Sequence, residues 1–113
     1  QEFAGQENRF LQVAQEYIAE HFAEDISLSD VAEKAGISAG YLSTLFSRQL
    51  QCKYVDYLNQ IRITRACTYL EHTVLKTYEI AYRVGFRDEK YFSRVFKRVK
   101  GINPKEYRQS LKK

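Results

Sequence analysis

The stretch RDEKYFSRVFKR, residues 87–98, concentrates hydrogen-bonding and charged side chains in one short segment. Phe92, Val95, Phe96 and Val99 recur at i, i+3, i+4 and i+7, so they form one apolar stripe of a helix and must face a core. Arg87, Glu89, Lys90, Arg94, Lys97 and Arg98 fall outside that stripe. A guanidinium presents a rigid fork of donors that matches O6 and N7 of guanine, and a glutamate accepts from the amino group of cytosine. Arg94 and Glu89 are therefore candidates to touch base edges, with Arg87 and Lys90 beside them, while Lys97 and Arg98 suit phosphate oxygens. The competing reading of each is a solvated charge on an exposed helix.

The same frame occurs half a chain earlier, where YLSTLF at 41–46 answers YFSRVF at 91–96. A shift of 50 superposes Tyr41, Ser43, Phe46 and Tyr57 on Tyr91, Ser93, Phe96 and Tyr107. Upstream the shift is 49, pairing Val31, Ala32, Gly36 and Ile37 with Ile80, Ala81, Gly85 and Phe86, so the second turn holds one inserted residue. Each copy is a short helix bearing an apolar-Ala pair, a glycine turn, an apolar residue to plug the junction, and a second helix. Two helices meeting steeply need alanine where they touch and glycine where the chain reverses, and this is the helix-turn-helix pattern. One copy alone could be an ordinary helical hairpin; two copies, the second basic, favour a pair of recognition helices.

In the first copy the side opposite Leu42, Leu45 and Phe46 presents Ala39, Gly40, Ser43, Thr44 and Ser47. Gly40, Ser43 and Thr44 are candidate base contacts of weak discrimination, since hydroxyls bond to several base edges. Ser38, at the helix start, and Arg48, beyond its end, are candidate phosphate contacts. Tyr41 and Tyr91 can either reach phosphate through their hydroxyls or pack against the turn.

Apolar spacing of 3.6 recurs along the chain and no alternating pattern is sustained, which predicts an all-α fold of about seven helices. Phe10, Val13, Ala14, Tyr17 and Ile18 mark a first helix ending near Phe22. Ser27 with Asp30 forms a capping-box pattern for a second helix running to Ala35; Gly36 closes it and Ser38 caps the third. A long uninterrupted helix over 54–71, with Val55, Leu58, Ile61, Ala66, Tyr69 and Leu70 as candidates for burial, reads as a rigid connector. A fifth helix ends at Gly85, a sixth runs from Asp88 to about Lys100 before Gly101, and Asn103, Pro104 and Glu106 start a short last one.

The net charge of +4 conceals a strong asymmetry. Residues 1–30 hold seven acids against Arg9, a net −6, whereas residues 31–113 carry +10 and the stretch from Arg87 onward alone +7. That is the sign of a polyanion-binding surface. Cys52 and Cys67 are too few for a disulfide framework, and together with His21 and His72 they lack the close spacing of a zinc site, so reduced structural thiols and no metal are expected. No nucleophile–base pair or phosphate-cradling glycine loop suggests an enzyme. No apolar run approaches a membrane span and the N-terminus does not resemble a signal peptide, which makes the cytoplasm the expected location and a membrane partner unexpected.

The stretch EIAYRVGFRDEKYFSRVFKRVKGINPKEYR is similar, nearly end to end, to the second helix-turn-helix and closing helix of AraC/XylS-type transcription regulators, and LSDVAEKAGISAGYLSTLF and YVDYLNQIRITRA match the first half. The resemblance covers about residues 10–110. It implies two helix-turn-helix subdomains, about 28–50 and 77–100, joined by a linker helix, with both recognition helices entering successive major grooves of one duplex. It further implies an activator of transcription that needs no cofactor and has double-stranded DNA and RNA polymerase as partners. KTYEIAYRVGF and KYFSRVFK look most like members fused behind a phospho-receiver domain, which implies an upstream regulatory or receiver domain outside this chain. Arg62 lies in a motif position the family uses and reads as a structural ion-pair partner within the linker helix. Gln51 departs from the pattern, since glycine usually stands there and the second copy has Gly101; ending a helix on it is expected to cost about 1 kcal/mol. The alternative reading is a helical protein-interaction module whose acidic first helix docks a partner.

Overall fold

A computed structural model of the chain describes residues 2–112, with side chains from residue 5 onward. Among the described residues there are seven α-helices and no strand: α1 (Glu2–His21), α2 (Leu28–Ala35), α3 (Ala39–Leu45), α4 (Tyr54–His72), α5 (Thr77–Arg83), α6 (Glu89–Lys100) and α7 (Pro104–Ser110). A π-helical segment, Phe46–Leu50, continues α3. The chain divides into two compact units, 1–58 and 59–113, and the division falls inside α4.

In the first unit, α2 starts where the Ser27 hydroxyl accepts from Asp30 N–H at 3.1 Å and the Asp30 carboxylate accepts from Ser27 N–H at 2.9 Å. Those bonds hold the Asp30 carboxyl below the usual carboxylate range. α2 buries Val31 and Ala32 and ends on Gly36 at φ 77°, a left-handed backbone that glycine adopts without a Cβ penalty. Ile37 N–H then bonds back to Ala32 C=O at 3.0 Å, which fixes the reversal. Ser38 accepts from Tyr41 N–H at 3.1 Å and starts α3. The core gathers Leu11, Ala14 and Ile18 from α1 against Val31, Ala32, Leu42, Leu45 and Phe46, with Leu58 from α4. The edge-to-face contact of Phe46 with Tyr57 has ring centroids 5.2 Å apart.

The second unit repeats these devices with other residues. Glu79 accepts from Lys76 N–H at 2.9 Å, but a lysine side chain has no acceptor to return the bond, so only half a capping box forms. Gly85 takes φ 105° and Phe86 N–H returns to Ala81 C=O at 2.9 Å, the counterpart of the Ile37 bond. Asp88 caps α6 by accepting from Tyr91 N–H at 3.0 Å. Asn103 and Glu106 form the reciprocal box that starts α7, with Pro104 in its first turn. Phe96 meets Tyr107 edge to face at 5.5 Å, as Phe46 meets Tyr57. The Tyr107 hydroxyl donates to Glu71 at 2.6 Å. Arg108 donates to three carbonyls, Leu70 at 3.3 Å, Thr73 at 3.0 Å and Leu75 at 2.6 Å, satisfying one acceptor of the last turn of α4 and two of the loop that follows it.

Three expected core residues are exposed instead: Val13 at 36%, Val55 at 48% and Val99 at 39%. On α1 the buried seam runs through Leu11, Ala14 and Ile18, which turns Val13 outward. α4 has no single apolar face, because Leu58 serves the first core while Ile63, Ala66, Cys67 and Leu70 serve the second; Ile61 and Tyr69 are only half-buried. Val99 lies in the last turn of α6, where α7 covers Phe96 through Tyr107 and leaves Val99 open. Cys52 and Cys67 are both free, and burial pushes both thiols up, away from the reactive thiolate.

Gln51 adopts φ 52°, the one positive φ on a described residue other than glycine, and its side-chain amide donates to Arg48 C=O at 2.9 Å. Left-handed backbone costs an L-residue roughly 1–2 kcal/mol, and a solvent-exposed hydrogen bond returns less than that. Urea titration is therefore expected to rank Gln51→Gly above the parent by about 1 kcal/mol and Gln51→Ala below it; a reversed order would mean that the amide bond outweighs the strain. Arg108→Ala, which strips three carbonyls of a charged donor at once, should lower unfolding free energy by at least about 2 kcal/mol in the same titration.

Candidate nucleic-acid interface

α6 is the more strongly divided of the two second helices. Phe92, Val95 and Phe96 are fully buried, whereas Lys90, Arg94, Lys97 and Arg98 are exposed. At about 100° per residue, Lys90, Lys97 and Arg98 lie within about 60° of Arg94 around the helix. Glu89, in the first turn, lies about 140° away, so it shares the N-terminal end of α6 but not the basic side. Arg87 is exposed in the turn just before Asp88 and occupies the inserted position. Among the described residues no carboxylate forms an ion pair with Lys90, Lys97 or Arg98. The Arg94 guanidinium sits 5.8 Å from the Tyr91 ring centroid, a cation–π contact that restricts where it points.

Tyr91 is held at both its ring and its hydroxyl. Its ring meets Phe86 edge to face at 5.8 Å, and its hydroxyl accepts from the buried Asn59 amide at 3.1 Å. Packing against the turn is thus realised, and because the hydroxyl is the acceptor toward Asn59 it keeps its own proton to donate elsewhere. Phe86, buried at 3% exposure, also carries the Arg62 guanidinium 5.6 Å from its ring centroid, so Arg62 steadies the turn from α4.

The first unit presents quieter chemistry. Gly40, Ser43 and Thr44 are exposed on α3. The Thr44 hydroxyl donates to Gly40 C=O at 3.1 Å, which leaves its oxygen lone pairs free to accept. A Cβ placed on Gly40 would meet nothing within 4 Å, so packing does not require glycine there. Ser38 is engaged as acceptor at the cap and keeps its hydroxyl proton. Tyr41 and Arg48 converge on one acid from α1: Arg48 Nη2 donates to Glu7 at 2.7 Å and the Tyr41 hydroxyl donates to the same oxygen at 3.1 Å. The Arg48 hydrogen bond holds the Glu7 carboxyl below its usual range, while burial and the Glu7 carboxylate push the Tyr41 hydroxyl up. Tyr41 packs on Phe10 of α1, edge to face at 6.2 Å.

Sequence reasoning missed Glu7 and Asn59. Neither carries a local signal, because their partners lie 32 to 41 residues away. Among the described residues no cluster of three His, Cys, Asp or Glu could hold a metal, and no helix is long and apolar enough to cross a membrane.

A helix-turn-helix domain family matches residues 31–110. The C-terminal domain of the two-component response regulator yesN from Fusobacterium nucleatum subsp. nucleatum ATCC 25586 is 41% identical, superposes with a TM-score of 0.80, and is matched over 86% of this chain and 95% of its own. The arabinose operon regulatory protein of Escherichia coli (strain K12) is 35% identical over 90% of this chain, which spans 35% of that relative's length. The transcriptional activator RhaS of Escherichia coli (strain SE11) is 32% identical over 82% of the chain and is covered over 34% of its length. The doubled turn, the two capped second helices and these matches agree: the chain belongs to the AraC/XylS-type helix-turn-helix family of transcription regulators.

Proposed function

We propose that the chain is the sequence-specific, double-stranded-DNA-binding domain of a transcription activator, with α3 and α6 as its reading helices. The observation that supports this most is the division of α6 between a fully buried apolar side and a basic side on which Lys90, Arg94, Lys97 and Arg98 stand exposed. A helix so anchored can insert its open side into a major groove. Arg94 reads a guanine edge, with Arg87, Glu89 and Lys90 as further base contacts at the start of α6; Tyr91, Lys97 and Arg98 hold phosphates. Gly40, Ser43 and Thr44 make the weaker base contacts of α3, flanked by Ser38, Tyr41 and Arg48 at phosphate. The family is one of regulators and not of enzymes, which fits a site with donors and no reacting group.

The relative named as an activator supports activation, and with it RNA polymerase as a protein partner. The likeness to the yesN C-terminal domain supports a receiver domain upstream in the intact protein, working in the cytoplasm.

Selection of bound sites from random duplexes, run with the parent chain and with Arg94→Ala at about 50 and about 200 mM salt, tests the reading. The parent should lose affinity steeply with salt, and Arg94→Ala should relax preference at one guanine and lose about 1–3 kcal/mol on the best site. Identical preference profiles would remove Arg94 from the readers, and salt-independent binding would count against DNA as the ligand.

A further inference from the structure

We propose that Glu7 is an internal stand-in for a DNA phosphate, which occupies the phosphate-binding donors of the first unit and so sets how much that unit adds to DNA affinity. The proposal rests on the reading of Tyr41 and Arg48 as phosphate contacts given above.

The two repeats supply the comparison. Tyr41 and Arg48 of the first unit correspond, 50 residues on, to Tyr91 and Arg98 of the second. In the second unit the Tyr91 hydroxyl accepts from the Asn59 amide and retains its proton, and no carboxylate among the described residues pairs with Arg98. That pair of donors is ready. In the first unit the same two positions both donate to one carboxylate oxygen of Glu7, at 3.1 and 2.7 Å. A tyrosine hydroxyl has a single proton, so Tyr41 cannot serve Glu7 and a phosphate together. Arg48 has further N–H groups, but its positive charge is balanced by the adjacent carboxylate.

Carboxylate and phosphate oxygens compete for the same charge-assisted hydrogen bonds. The Glu7 side chain is 19% exposed and that of Arg48 54%, so the guanidinium remains open to an incoming strand while the acid lies beneath it. A phosphate arriving there must displace Glu7 from Tyr41 and Arg48 or accept its repulsion. Either way the first unit binds DNA less strongly than its residue types suggest, and Glu7, not only the small side chains of α3, is the cause.

Glu7→Gln removes the charge and keeps the shape. Glu16→Gln makes the same charge change elsewhere on α1, where the carboxylate accepts from Gln12. Affinity of the chain for a labelled mixed-sequence duplex is to be measured for the parent, both variants, and the pair Glu7→Gln with Arg48→Ala, across about 50 to 200 mM salt. The expectation is that Glu7→Gln binds on the order of fivefold more tightly than Glu16→Gln, with a salt dependence steeper by about one ion, and that adding Arg48→Ala abolishes the gain. Equal or weaker binding by Glu7→Gln overturns the proposal and makes Glu7 a spectator or a support for Arg48. A gain that survives Arg48→Ala also overturns it, because the effect is then general charge. Absence of duplex binding by every variant, including the parent, overturns the DNA-binding reading itself and this proposal with it.

Discussion

A helix can offer one side to a ligand only while its other side is anchored, and in both units the anchoring depends on one tight reversal. Gly36 and Gly85 take left-handed backbone, and the next residue returns its N–H to the carbonyl of Ala32 or Ala81. This pair of features joins the two helices of each turn. It puts Leu42, Leu45 and Phe46, or Phe92, Val95 and Phe96, into a core, and the exposed sides of α3 and α6 follow from that placement. A side chain at either glycine would strain the backbone that every later residue of the unit relies on.

The two units then diverge in what they mount on the shared frame. Ring contacts recur almost unchanged, Phe46 with Tyr57 and Phe96 with Tyr107, as do the capping acids at Asp30 and Glu79. Among the exposed residues Tyr41 and Arg48 recur as Tyr91 and Arg98, whereas Gly40, Thr44 and Ser47 give way to Lys90, Arg94 and Lys97. Hydroxyls and a glycine stand on α3, whereas bare cations stand on α6, and the flanking Tyr and Arg are engaged with an acid in one unit but not in the other. Scaffold and exposed surface are thus carried by separate residues, which lets one fold present two different surfaces.

Much of the scaffold was legible because its determinants are local. Ser27 and Asp30 stand three apart, as do Asn103 and Glu106, and a capping box needs nothing else. Glycines at helix ends announce themselves in the same way. Periodicity failed where a helix serves more than one core: Val55 and Ile61 follow the spacing of α4, yet Leu58 packs in the first unit and Ile63 in the second. For the interface, the charge and facing of Arg94, Lys97 and Arg98 could be read from spacing alone. The state of Tyr41, Arg48 and Tyr91 could not, because it is decided by Glu7 and Asn59, which reach them from a preceding helix. Gln51 shows a third case, a position where the backbone is that of a glycine although the residue is not.

Gly40 bears on how such a domain changes over evolutionary time. It stands on the open side of α3, inside a helix, with no atom within 4 Å of where a Cβ would be. Glycine within a helix is roughly 1 kcal/mol less favourable than alanine, so almost any replacement there adds helix stability. If α3 reads DNA as proposed, a new side chain at position 40 would add a contact without the destabilisation that commonly accompanies a gain of function. On the proposed reading of α3, position 40 is an unfilled slot from which new target preferences can arise while the core remains as it is.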